Sequence, residues 1–385
     1  MKYYLKNIKI LKSAFLLLTL IFIPAGIISN ISSASVGARK GILYCANTLI
    51  PSLFIFMIFT SFIVNAGIIQ NLSKILNNTT KFLFYLPGCT APIIILSLIG
   101  GYPVGARGAK SLYDSGEINT EQLNRLMSFA VNAGPAFIIE IVGNILLKNY
   151  RLGYLIFVTQ VILSICIGII SGLFARKKNL KFYSNEKIYE GKKISISDSI
   201  VQSCSDASRS IIDMSALIIT FYTVIEILNA TFLKKDFLNY FFTSNNSIND
   251  FRAIFISILE MTSGCNEVIS KNASTGIILF AVGFGGICAH LQIKSILGKN
   301  NFNFTKFTVY RFLNGAFTVI IVPVALEFLP ECYPTFLNAS TQPRTAFSST
   351  NLGSILLMLL ALYFVICVNY KNKKYPRSKN VNTFN

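Results

Sequence analysis

The residues with chemistry to offer are few, and they lie where apolar sequence is interrupted. Glu260 closes an apolar run and opens Glu260-Met-Thr-Ser-Gly-Cys265, in which Thr262 and Ser263 bring hydroxyls and Gly264 loosens the backbone. A carboxylate in such a run is costly unless it is paired, protonated or bound to a cation, so Glu260 is the candidate for a coupling Na⁺ or H⁺, or for a hydrogen bond to a substrate. An earlier interruption reads Pro87-Gly-Cys-Thr-Ala-Pro92, then Gly100-Gly-Tyr-Pro-Val-Gly-Ala-Arg-Gly-Ala-Lys110. Its prolines remove backbone donors and its glycines permit turns and close approach. A helix restarting after Pro103 directs free N–H groups toward an anion. Gly101, Tyr102, Pro103 and Gly105 are the expected tip, and Arg107 is the expected fork for a carboxylate. The competing reading of both stretches is an exposed loop in which Glu260 is solvated and Arg107 and Lys110 only set topology.

Each interruption is followed by an apolar segment with a polar opening. In the first, Asn132, Gly134 and Pro135 precede Glu140, and Asn132 and Glu140 share a helix face. In the second, Gly283, Gly285 and Gly286 precede His290 and Gln292. His290 is the only histidine, and within a span it would relay protons, pair with a carboxylate or simply pack. Asp206, Arg209 and Asp213 recur on one helix face and are expected to neutralise one another. Glu226 and Arg311 also fall in apolar runs and are candidates to pair between helices. G-x-S-x-G, H-E-x-x-H, a Walker loop and usefully spaced carboxylates are all missing, so neither covalent catalysis nor ATP-driven pumping is expected of this chain. The eight cysteines are scattered without C-x-x-C, which supports no metal site, cofactor or disulfide framework.

The elements that must hold these residues follow from composition. The 385 residues are 53% hydrophobic and only 13% charged, with mean hydropathy +0.57. A soluble domain carries roughly a quarter charged residues; half that share, gathered into long apolar runs, describes an all-α polytopic membrane protein surrounded by lipid. Expected spans are 10–30, 44–68, 124–147, 152–175, 209–232, 274–297, 307–330 and 351–370. Segments 82–112 and 247–272 are broken in the middle and fit re-entrant hairpins. Residues 10–30 would also suit a signal peptide, but no small-x-small cleavage site ends them, and they are read as a retained span. The net charge of +19 reflects basic clusters at 2–12, 176–193 and 371–379 rather than a nucleic-acid surface. The positive-inside rule places all three clusters, and both termini, in the cytoplasm. That requires four crossings on each side of the central cluster, which holds only if the two broken segments do not cross.

An internal repeat is also legible. Ser52-Leu-Phe-Ile-Phe-Met-Ile-Phe-Thr60 aligns with Ser215-Ala-Leu-Ile-Ile-Thr-Phe-Tyr-Thr223, the broken segments follow, and Phe129-Ala-Val-Asn-Ala-Gly134 aligns with Phe280-Ala-Val-Gly-Phe-Gly285. In this topology the copies run in opposite senses, and broken segments at matching places in two inverted halves mark the substrate site of a secondary transporter. The resulting divisions are an N-terminal helix and loop 1–43, a first repeat 44–175, a basic linker 176–195, a second repeat 196–330 and a C-terminal helix and tail 331–385.

Gly101-Tyr-Pro-Val-Gly-Ala106, Tyr113-Asp-Ser-Gly-Glu-Ile118 and Leu126-Met-Ser-Phe-Ala-Val-Asn-Ala-Gly-Pro135, with the shorter Glu260-Met-Thr-Ser-Gly-Cys265 and Gly285-Gly-Ile-Cys-Ala-His-Leu-Gln292, give the chain a further aspect. Over nearly its whole length it resembles the YlbJ family of sporulation integral membrane proteins. That resemblance implies nucleoside-recognition, or Gate, domains similar to the core of concentrative nucleoside transporters, and with them a homo-oligomer. It also implies movement of dipicolinic acid from the mother cell across the outer forespore membrane. Dipicolinate, a small aromatic dianion, is compatible with helix starts, Arg107, Lys110 and hydroxyl donors, with Tyr102 or a Phe for stacking. A nucleoside or another small carboxylate would suit the same tips, and a non-transporting scaffold acting through the basic linker is the alternative from a different class.

Overall fold

The computed structural model describes residues 26–66, 68–180, 182–183, 195–242, 244–298 and 302–328. Most of the expected span 10–30, all of 351–370, the two terminal basic clusters and most of the 176–195 linker lie outside the described residues. Those described belong to one compact unit, Met1–Ala339, and every element among them is helical.

The first long rod is built from Ile31–Tyr44 (α1), a wider π turn at Cys45–Leu49, and Ile50–Asn65 (α2). Its counterpart is the 35-residue helix Ile196–Ala230 (which we number α8). The rods pack along one another, and small residues make this possible. A Cβ at Gly37 would stand 2.7 Å from the Thr223 Cα, and one at Gly41 2.8 Å from the Ile219 Cα. Gly37 and Gly41 form a G-x-x-x-G step that lets helix backbones touch where lipid supplies no hydrophobic drive.

Between the rods, in chain order, come Ile68–Phe84 (α3), the paired half-helices Thr90–Gly100 (α4) and Tyr102–Asp114 (α5), Thr120–Phe129 (α6), a π-helical segment Ala136–Leu146, and Tyr150–Lys177 (α7). After α8 come the short Lys235–Leu238 (α9), the paired half-helices Asn245–Leu259 (α10) and Met261–Lys271 (α11), Gly276–Phe284 (α12), Gly286–Leu297 (α13) and Phe304–Phe328 (α14). One order thus occurs twice: rod, half-helix pair, interrupted helix, long helix.

Five helical stretches among the described residues are long and apolar enough to cross a bilayer: Ile31–Ile63, Tyr150–Lys177, Ile196–Ala230, Gly276–Leu297 and Phe304–Phe328. Their outer faces carry exposed apolar side chains such as Ile162, Phe174, Ile212 and Ile320, while Thr60, Ser97, Ser203, Asn314 and Thr318 are buried. Apolar outside and polar inside is what lipid, not water, favours, and the protein fits an integral membrane protein on this ground.

Three expectations change. The span placed at 44–68 begins at Ile31, one rod rather than one late helix. The span placed at 124–147 is not continuous, because α6 stops at Phe129 and helix resumes only at Ala136. Residues 69–81, left without an element between the span 44–68 and the broken segment 82–112, belong to the amphipathic α3, whose apolar residues fall at helical spacing through Leu72, Ile75, Leu76 and Leu83.

Replacing Gly41 by Leu forces the rods apart. Overpacking of this kind costs about 1–3 kcal/mol, and the thermal midpoint of detergent-purified protein should fall accordingly; an unchanged midpoint would show that the rods do not depend on this contact.

Candidate functional site

Four interruptions of helix, far apart in sequence, meet inside the molecule. The first is Gly101 between α4 and α5, with φ +78° and ψ −164°, a backbone that only glycine adopts without strain. The second is the non-helical stretch 130–134 after α6. A Cβ on Gly101 would lie 3.1 Å from the Gly134 nitrogen, so these two breaks touch through backbone. The third is Glu260, extended at φ −145° and ψ 119° between α10 and α11. The fourth is Gly285, φ +89°, between α12 and α13. The Tyr102 hydroxyl from the first break would be only 2.4 Å from a Cβ on Gly285 and donates to the Val282 carbonyl at 3.4 Å. Gly286 backs onto Ser257, Leu259 and Met261 of the third break.

Arg311 of α14 stands at this crossing and is 1% exposed. It donates to the Val131 carbonyl at 2.8 Å, to Asn132 Oδ1 at 2.9 Å, to the Tyr102 hydroxyl at 3.3 Å and to the Gly283 carbonyl. Its guanidinium also sits 5.5 Å from the centre of the Tyr102 ring. α6 and α12 end beside it, so the cation meets the negative ends of two helix dipoles. Asn132 is fixed for this task by a bond from its own Nδ2 to the Phe129 carbonyl, 2.8 Å.

On the side of the crossing that faces the rods, polar side chains gather around the third break. Both Glu260 oxygens are in use, accepting from the Thr262 N–H at 3.0 Å and the Ser263 N–H at 2.6 Å. Glu260 therefore caps α11, where a negative charge is favoured by the free N–H groups and the dipole. Tyr44, at the π turn of the first rod, lies beside Thr262 and within electrostatic range of Glu260. Tyr222 of α8 stacks on Tyr44 at 5.7 Å and 19° and faces Ser263 and Asn266. Ser257 Oγ has no hydrogen-bond partner among the described residues, while the Tyr44 hydroxyl faces Thr262 and the Tyr222 hydroxyl faces Ser263. Cys45 and Cys288 border the same cluster.

The residues expected from sequence are distributed as follows. Gly101, Tyr102, Pro103, Asn132, Glu260, Thr262 and Ser263 are at the crossing or in the polar cluster beside it. Gly105 packs on the Ala130 carbonyl and Gly264 on Ser257, both too closely for a side chain. Arg107 points to α8, where it donates to the Asp206 carbonyl at 3.0 Å near Asp213, and so takes no part in the crossing. Asp206 itself accepts from Asn65 and Gln202. His290 bonds the Gly286 carbonyl through Nδ1 at 2.6 Å and lies among Phe284, Phe304 and Phe307, with its Nε2 buried and without a hydrogen-bond partner among the described residues. Gln292 turns to the Cys288 sulfur at 3.5 Å. Glu140 accepts from Asn144 rather than joining Asn132. The suggested pairing of Glu226 with Arg311 does not form; Glu226 pairs with Lys40 at 2.7 Å, and Arg311 serves the crossing. No family model matches the chain, and neither a curated protein nor a solved structure matches it.

Glu260→Ala should destabilise the protein by about 1–2 kcal/mol, the worth of an N-cap, with Glu260→Gln closer to wild type because one acceptor oxygen remains. Thermal unfolding of the three proteins checks this ranking; equal midpoints would deny the cap its role.

Proposed function

We propose that the protein is a membrane carrier that moves a small polar solute by alternating access, with no covalent chemistry. The observation that carries this reading is the meeting of four helix breaks, two from each occurrence of the repeated element order, beside a cluster of polar side chains next to the rods. Discontinuous helices at the interface of internal repeats are where secondary transporters bind their cargo. The full arrangement would comprise eight spans and two re-entrant pairs, α4–α5 and α10–α11, in repeats of inverted sense.

Dipicolinate is the cargo we favour, carried across the outer forespore membrane during sporulation by a protein with both termini in the cytoplasm. The family resemblance motivates this choice. The polar cluster supports it through the stacked Tyr44 and Tyr222, which offer an aromatic face, and through hydroxyl donors that suit carboxylate oxygens. The carboxylate of Glu260 opposes a dianion, an effect that the free N–H groups at the start of α11 offset in part. A nucleoside is the second reading, favoured by that same carboxylate beside several hydroxyls, a set suited to ribose.

Flux into proteoliposomes decides the matter. Dipicolinate, uridine and adenosine should be offered to wild type, Glu260→Gln and Gly101→Leu. We expect saturable dipicolinate entry that drops at least about tenfold, or 1.4 kcal/mol of barrier, in both variants. Nucleoside entry alone would exchange one cargo for the other, and no flux of any solute from folded protein would favour a scaffold.

A further inference from the structure

The contacts of Arg311 resemble a coordination shell more than a binding fork. A guanidinium has five N–H donors, and its four terminal ones have four neutral acceptors in Val131 O, Asn132 Oδ1, Gly283 O and the Tyr102 hydroxyl. Nε is buried without a partner, so no edge of the guanidinium is open to grip a carboxylate in two places. Among the described residues no carboxylate pairs with it. Its charge is balanced by carbonyl and amide oxygens at the ends of α6 and α12. Carbonyls of unwound helix and the C-terminal ends of half-helices are also what hold Na⁺ in carriers with broken helices.

We infer that the Arg311 guanidinium is a built-in cation, occupying the position at the crossing where a monovalent metal ion would otherwise bind, so that the protein functions without a Na⁺ gradient. The transport half of this inference rests on the carrier reading; the binding half does not. A bound Na⁺ can leave and carry free energy with it, whereas Arg311 is tethered to α14 and can only hold the four breaks together.

The test compares thermal midpoints of purified wild type and Arg311→Ala in matched chloride salts of sodium, potassium, choline and guanidinium. Wild type should be indifferent to sodium against choline. Arg311→Ala should melt about 5–10 °C below wild type in choline, and that gap, measured against wild type in the same salt, should narrow in sodium or in guanidinium kept well below denaturing concentration. A sodium-dependent rise in wild type would overturn the inference, as would an Arg311→Ala protein that matches wild type or that no cation rescues. If Arg311→Ala does not fold, Arg311→Lys and Arg311→Met decide: the lysine protein should fold and ignore sodium, and equal recovery of the two would show that charge at this position is irrelevant. Flux, where present, should be the same with sodium or choline outside. Absence of flux for every solute would count against the carrier while leaving the melting result to judge Arg311.

Discussion

A full positive charge buried at the meeting point of broken helices is the constraint from which the rest of the architecture follows. Moving an ion of this kind out of water costs several kcal/mol even after relaxation, and Arg311 has no carboxylate to compensate it among the described residues. What compensates it is backbone. Helix ends carry roughly half a unit of charge, and two of them, at α6 and α12, are brought to the guanidinium. That requires helix to stop at Phe129 and Phe284, which in turn requires residues that tolerate stopping: Asn132 and Gly134 in one case, Gly285 in the other. The interruptions and the arginine explain each other, since either alone would leave polar groups unsatisfied in a dry interior.

The same logic separates two regions that sequence alone would merge into one site. The crossing is closed, with glycines whose missing side chains are filled by neighbouring backbone or by the Tyr102 hydroxyl. Beside Glu260, polar side chains from the third break meet Tyr44 and Tyr222 of the rods. The π turn at Cys45–Leu49 falls directly after Tyr44; such turns shift the register of a helix and occur often at functional places.

Much of this was legible because interruptions have a residue signature. Gly101-Tyr102-Pro103, Asn132 with Gly134, Glu260 with the following Thr-Ser-Gly, and Gly285-Gly286 each stood out against apolar sequence, and each marks a place where helix stops. What escaped was anything whose partner is a backbone atom. Arg311 donates to no carboxylate among the described residues; two of its four acceptors are backbone carbonyls, which every residue has, so the sequence offered Glu226 instead. Arg107 looked like a ligand-binding cation because its neighbours in sequence are at the tip, yet its side chain emerges further along α5 and reaches α8. His290, conspicuous for being alone, lies among three phenylalanines. α3 had a readable helical period, but its Asn and Lys residues hid it among segments chosen for being apolar.

The position of Arg311 in the chain has a bearing on biogenesis. Its acceptors on residues 102, 131, 132 and 283 are all synthesised before it, and chains enter the membrane N-terminus first. Until α14 arrives, the ends of α6 and α12 have no cation, and the breaks have nothing in common to close upon. The final described helix therefore acts as a keystone: closure of the interior awaits its synthesis. A ribosome that stalls before α14 would leave in the bilayer a set of helices whose unsatisfied carbonyls present a ready mark for membrane quality control.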